Sequence, residues 1–263
     1  MSRKTRRTPI KRKRVAGKDK QLTFFEHLEE LRSRIVKSAI IIIAASCLFY
    51  GYVDRLIPFL IKPVGHVVFT SPAEAFVAQI MLAFFGGIFL SMPVVLYQVW
   101  QFVSAGLTET ERKYIVIFIP LAYAFFTLGC AFAYFAVLPA MLKFFLSFST
   151  PYVMPMITVS QYISFVGTVV LSFGFIFELP LAIVLLTKIG IATPQFLVEK
   201  RRHAIVLIFI VSAVLTPSPD WVSQLIMAIP LTVLYEISII FSKLTYRLNA
   251  RRANIRFNPP SVS

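Results

Sequence analysis

The feature that most constrains this chain is a series of long apolar runs. A helix needs about 20 apolar residues to cross roughly 30 Å of hydrocarbon, and a buried helix of a soluble domain rarely sustains that length. Such runs cover Ser38 to Val53, Phe76 to Phe102, Tyr114 to Pro139, Ile163 to Thr187, Ala204 to Thr216 and Trp221 to Ser242. With 57% hydrophobic and only 15% charged residues, the composition lies far from that of a soluble domain. The expected fold class is an all-α integral membrane protein with six transmembrane helices, short fifth and sixth helices and a broken extracytoplasmic cap. The fifth run supplies only roughly 20 Å of helix, which calls for local bilayer thinning or shelter by neighbouring helices.

Between the runs, charge sets organisation and orientation. Residues 1–21 form a basic tail with almost no apolar content, expected to be mobile and unable to build a core. Its Arg6-Arg7 pair is followed by Thr8, Pro9 and Ile10, which is not the pattern of an export signal. Thr23 to Lys37 reads as an amphipathic surface helix, with Phe24, Leu28, Leu31 and Ile35 on one face and Thr23 with Glu26 as a capping box. Asp54 to Ala75 and Ala140 to Tyr162 contain prolines and form the outer cap. Arg112, Lys113, the Lys188 to Arg202 connector and the basic tail 244–263 share a side with the N-terminus, whereas Arg55, Lys62 and Lys143 face the other. Cytoplasmic loops are enriched in Lys and Arg, so both termini are expected in the cytoplasm. The domain reading is therefore a tail, a membrane domain over 22–243 and a second tail. The net charge of +15 is confined to loops and ends, which argues against nucleic-acid binding.

Few residues point to chemistry. Glu178 lies inside the fourth run beside Pro180. A carboxylate there costs about 2.5 to 3.5 kcal/mol on insertion scales, so it marks either a hydrogen-bonded internal group or a polar face for a partner. Glu26, Glu29, Glu30, Glu109 and Glu111 put carboxylates on an otherwise basic cytoplasmic face. Glu30 suits an ion pair with Arg34 one turn on, and Glu111 a capping box with Thr108, but as a group they suit an arginine-bearing ligand. Trp100 and Trp221 read as interface anchors, and Cys47 and Cys130 as small core residues. His27, His66 and His203 stand apart, so neither a metal site nor a catalytic constellation is expected, and no cofactor is implied.

His27-Leu-Glu-Glu-Leu-Arg32, Tyr97-Gln-Val-Trp-Gln-Phe102, Phe177-Glu-Leu-Pro180, Leu215-Thr-Pro-Ser-Pro-Asp220, Gln224 and Ala228-Ile-Pro230 occur in an order and spacing that resemble the TatC family over about Leu22 to Lys243. The outer turn is one residue longer than the family's form, and the basic N-terminal tail has no counterpart in the resemblance. The family binds the twin-arginine signal of folded export substrates in the inner membrane and recruits single-span TatA and TatB subunits, with transport driven by the proton-motive force. The resemblance implies that Glu30 and Glu111 hold the signal arginines and that Arg32 and Phe102 shape their pocket. It places Glu178 within the concave membrane face and Thr216 with Gln224 on a patch that meets a partner helix. Pro58 and Asp220 take structural roles in the outer cap and turn. A homo-oligomeric receptor complex is also implied. The competing reading is an ion-coupled transporter or channel with Glu178 as its ion or proton site.

Overall fold

A computed structural model describes residues 24–104, 115–188, 190–216 and 220–257. Helix α1 (Phe24–Tyr50) carries the amphipathic stretch and the first apolar run without interruption, since neither Pro nor Gly falls between them. After Gly51 the chain enters α2 (Val53–Ile61), a helix where the sequence suggested only broken structure. Pro58 lies inside this helix, where its missing N–H leaves the Asp54 carbonyl without its intrahelical donor. Val53, Leu56, Ile57 and Leu60 of α2 cluster with Ala78, Leu82 and Ile163, so the cap helix is packed rather than adrift. Gly65, at φ 83°, donates its N–H to the Ile61 carbonyl at 3.0 Å and closes the helix in a conformation that other residues adopt at a cost.

The long helix α3 (Pro72–Ser104) starts at Pro72 rather than Phe76, with the proline near the first position where its missing N–H costs nothing. Next come α4 (Ile115–Phe132), a π-turn over Ala133–Val137, and α5 (Leu138–Leu146), which form one helical rod. The third apolar run thus continues past Pro139 instead of ending there. In a regular α-helix the Pro139 ring would press on the carbonyl of Phe135; the wider π-turn lies at that carbonyl and lets the helix proceed. The fourth run is split into α6 (Val159–Ile176) and α7 (Leu179–Lys188), with a turn at Phe177 and Glu178. A short α8 (Pro194–Glu199), capped by Thr193 Oγ1 accepting from the Phe196 N–H at 3.2 Å, leads to α9 (Arg201–Leu215) and α10 (Trp221–Phe257).

Helices α3, α4, α6 and α7 meet in a core containing Met92, Leu96, Trp100, Phe126, Cys130, Leu171 and Leu181. Trp100 is therefore not an interface anchor: it is buried, with its ring 4.8 Å from that of Phe118. Cys130 is buried as expected, but Cys47 is exposed on the outer side of α1. A second core joins the π-turn, α6, α9 and α10 through Val137, Met141, Phe173, Ile208 and Met227. Among the described residues five helices are long and apolar enough to cross a membrane, His27–Tyr50, Pro72–Phe102, Phe118–Leu146, Val159–Lys188 and Trp221–Leu248. Helix α9, with 15 residues, falls short of that length.

The cap built by α2 and the segments before α3 and α6 is latched by few atoms. Val68 donates to the Ile157 carbonyl at 3.0 Å and its own carbonyl accepts from Val159 at 2.9 Å. One Glu74 oxygen accepts from Thr70 N–H and Oγ1, each at 2.7 Å, and the other accepts from Ser160 Oγ at 2.8 Å and its N–H at 3.4 Å. A single carboxylate thus ties the loop before α3 to the first turn of α6. Glu74→Ala is expected to raise amide exchange several-fold at Thr70 and Ser160 while leaving exchange in the middle of α6 unchanged. Hydrogen–deuterium exchange in detergent checks this, and unaltered exchange at both amides would count against the latch.

Candidate functional site

The seam between α1 and α3 holds polar residues that the sequence motifs singled out. The two helices run antiparallel, so His27, Glu30 and Arg34, spaced by three and four residues, fall on one stripe facing Gln98 and Phe102. Arg34 donates through Nη2 to Glu30 Oε1 at 2.9 Å and through Nη1 to Gln98 Oε1 at 2.8 Å. Glu30 and Arg34 side chains are 23% and 19% exposed, largely withdrawn from water. One turn nearer the N-terminus, the His27 ring stacks on that of Phe102, with centroids 4.3 Å apart and planes 16° from parallel. Beneath this polar rim lies a groove of about 400 Å³. Its walls are Leu31, Ile35, Ala39 and Ile42 from α1 and Val95 and Val99 from α3. A carboxylate at the mouth of an apolar groove suits a ligand that carries a cation next to an apolar stretch, because each half of such a ligand meets its own chemistry.

The other expected site residues are distributed differently. Arg32 is exposed, two positions from Glu30 and so on another side of α1; the structure does not bring it onto Phe102. Glu29 is exposed as well, and the expected roles of Glu109, Glu111 and the Thr108 cap lie outside the described residues, as do Thr23 and the Glu26 side chain. Glu178 sits in the turn between α6 and α7, where its N–H bonds the Phe175 carbonyl at 3.1 Å and its carbonyl accepts from Ala182 at 2.9 Å. Its Oε1 is buried without a hydrogen-bond partner among the described residues. Lys188 ends α7 ten residues on, about 15 Å along a helix, so the carboxyl lies deep in the span.

On the short hairpin, Thr216 is buried: its Oγ1 donates to the Ser212 carbonyl at 2.5 Å and lies 3.3 Å from Met227 Sδ. Gln224 is half-buried and donates from Nε2 to the Phe209 carbonyl at 2.9 Å, tying α10 to α9. The two do not share one exposed patch, as a common docking surface would require; Gln224 faces a shallow groove with Phe209 and Val214, and Thr216 faces inward. Asp220 caps α10, its Oδ1 accepting from the Ser223 N–H at 2.7 Å, and Pro58 is exposed on α2.

Two polar pairings escaped sequence reasoning. Gln98 anchors Arg34, and its position within an otherwise apolar helix end was the one local signal for it. Arg201 Nη2 donates to Glu236 Oε2 at 2.7 Å, joining the start of α9 to α10; no spacing rule links residues so far apart.

Comparison with known proteins agrees with this geometry. A family model described as "Sec-independent protein translocase protein (TatC)" matches residues 26–230. The TatC protein of Carboxydothermus hydrogenoformans is 42% identical over 229 residues, covering 86% of this chain and 94% of that protein. TatCd of Bacillus subtilis is 36% identical over 88% of this chain and 96% of its own length. Among solved structures, a crystal structure of the twin-arginine translocase receptor TatC superposes with a TM-score of 0.76 at 35% identity, over 83% of this chain and 99% of that one. The family model covers four of the long helices, the start of the fifth and the motifs at the α1/α3 seam, so the chain belongs to the TatC family of Sec-independent protein translocase proteins.

Proposed function

We propose that this chain is the signal receptor and core subunit of a twin-arginine translocase that exports folded proteins by means of the proton-motive force. The observation that carries the reading is the α1/α3 seam, where Glu30, largely withdrawn from water, already holds a guanidinium above an apolar groove. A twin-arginine signal presents the same order of chemistry, arginine and then an apolar stretch. Glu111 supplies a second carboxylate from the loop between α3 and α4, Phe102 with His27 closes the pocket, and Arg32 acts from its exposed side. The chain lies in the inner membrane with six spans, α9 being the short fifth, and both termini in the cytoplasm. Glu178 and Gln224, with Thr216 behind it, serve single-span TatA and TatB subunits, and several copies assemble in one receptor complex. The Pro58 and Asp220 roles are structural. The tails 1–21 and 244–263 flank the membrane domain and add only salt-sensitive attraction to anionic lipid.

Binding of a twin-arginine signal peptide in detergent, against a twin-lysine control, tests this reading. Glu30→Ala and Glu111→Ala are each expected to weaken binding by about 1 to 3 kcal/mol, the range for charge-assisted hydrogen bonds. Equal affinity for the two peptides, or wild-type affinity in both variants, would remove these carboxylates from the recognition site.

A further inference from the structure

We infer that Arg34 is a resident guanidinium that occupies Glu30 in the empty receptor and yields it to an incoming arginine, so that recognition at this site is an exchange. The inference rests on the receptor reading above and adds a residue that sets the affinity of the site. Three observations carry it. First, Arg34 reaches Glu30 through one amine and Gln98 through the other, at 2.9 and 2.8 Å. If Nη2 lets go of Glu30, Nη1 remains held by the neutral Gln98 amide oxygen, and the released arginine keeps a defined place at the rim. Second, Glu30 and Arg34 lie four residues apart on one helix. Their separation therefore needs only side-chain rotation, with no movement of α1 against α3. Third, the pair is neither buried nor freely solvated. A fully exposed pair would leave nothing to exchange, and a fully buried one would resist opening, since a charge stranded in a dry site is costly.

The exchange has two consequences. In the empty state Glu30 is never an unpaired carboxylate beside the apolar groove of Leu31, Ile35 and Val99, which would be unfavourable without a partner. In the bound state the ligand has to outcompete a guanidinium. An arginine can do so with advantage, because its planar fork sets two N–H donors on the carboxylate where Arg34 surrenders one. A lysine ammonium has no such fork and displaces Arg34 at a disadvantage. Arg34 thus sets the affinity threshold that any ligand must exceed, while the pairing with Glu30 supplies the preference for arginine.

The test is to measure binding of twin-arginine and twin-lysine signal peptides to detergent-purified full chain, wild type against Arg34→Gln. Removing the competitor is expected to tighten twin-arginine binding about two- to fivefold, the factor by which a partly exposed ion pair competes. The twin-lysine peptide should gain by the same factor, because the cost of displacing Arg34 falls on either ligand alike, so the arginine-to-lysine selectivity ratio stays unchanged. Arg34→Lys, which keeps the charge and loses the fork, should move both affinities in the same direction by less, and it serves where Arg34→Gln is poorly folded by size-exclusion profile and melting temperature. Unchanged or weaker twin-arginine binding in a well-folded Arg34 variant would overturn the exchange and leave Arg34 as a residue that merely positions Glu30. Glu30→Gln separates the two levels: loss of binding there with no gain in the Arg34 variants sinks only the exchange, whereas intact binding in Glu30→Gln sinks both the exchange and the receptor reading.

Discussion

Gly87→Leu is expected to lower the stability of the folded chain by roughly 3 kcal/mol or more, the upper range for overpacking a close contact. A Cβ at Gly87 would fall on the backbone nitrogen and Cα of Ser46, atoms that cannot rotate aside. Helices in lipid gain no hydrophobic drive from meeting one another, so close backbone approach at small residues provides much of the attraction. Gly86 supplies an internal control. A Cβ there meets the ring of Phe49, which can swing away, so Gly86→Ala should cost far less. Thermal unfolding in detergent would register the difference. The prediction reaches the site as well, because Arg34 and Gln98 lie on the same two helices and would be pushed apart. Signal-peptide affinity should therefore fall in Gly87→Leu even in the fraction that remains monodisperse. Similar melting temperatures for Gly87→Leu and Gly86→Ala would show that the crossing yields where the geometry says it cannot.

Glu178→Leu should reduce export of a folded twin-arginine reporter about tenfold or more, while Glu178→Gln should stay close to wild type, on the scale of one lost hydrogen-bonding group in an apolar setting. The carboxyl sits where the fourth span is interrupted, with Oε1 unsatisfied among the described residues. Such an atom is suited to a donor on an arriving helix. Docking requires hydrogen-bonding capacity, which Gln keeps, whereas proton transfer requires a titrating group, which Gln lacks. Crosslinking to a single-span partner, scored beside export, resolves the two. Full export by Glu178→Leu would end the functional claim for this residue. Loss of export in Glu178→Gln with normal crosslinking would instead favour titration.

The helices were legible because membrane spans are written as uninterrupted apolar runs, and five of the runs coincide with long helices. Glu30 was legible too, since a carboxylate four residues before an arginine on a helix stripe fixes its own neighbour. Features that depend on register between distant segments were not. Trp100 resembles an interface anchor until α4 brings Phe118 to it, and Cys47 resembles a core residue until α1 turns it outward. Pro139 reads as a helix end because nothing local announces the π-turn that absorbs its ring. Glu74 drew no notice at all, though it binds two segments of the cap; its partners Thr70 and Ser160 carry no pattern that selects them. At the short hairpin, sequence placed Thr216 and Gln224 together, but Gln224 reaches across to the Phe209 carbonyl of α9 at the surface while Thr216 turns into the core.

The cap latch also bears on the order in which the chain can assemble as it is made. Glu74 and Ser160 are 86 residues apart, whereas Arg34 and Gln98 are separated by 64. A nascent chain that has delivered α3 already possesses both sides of the seam around Glu30. The cap cannot close until α4, α5 and the first turn of α6 have followed, because Ile157, Val159 and Ser160, which pair with Val68 and Glu74, do not yet exist. A chain arrested at Leu146 should therefore protect α1 against α3 from proteolysis while leaving the segment from Lys62 to Ser71 open to it. Assembly is expected to run from the α1/α3 seam toward the opposite end of the helices, with the cap sealed last.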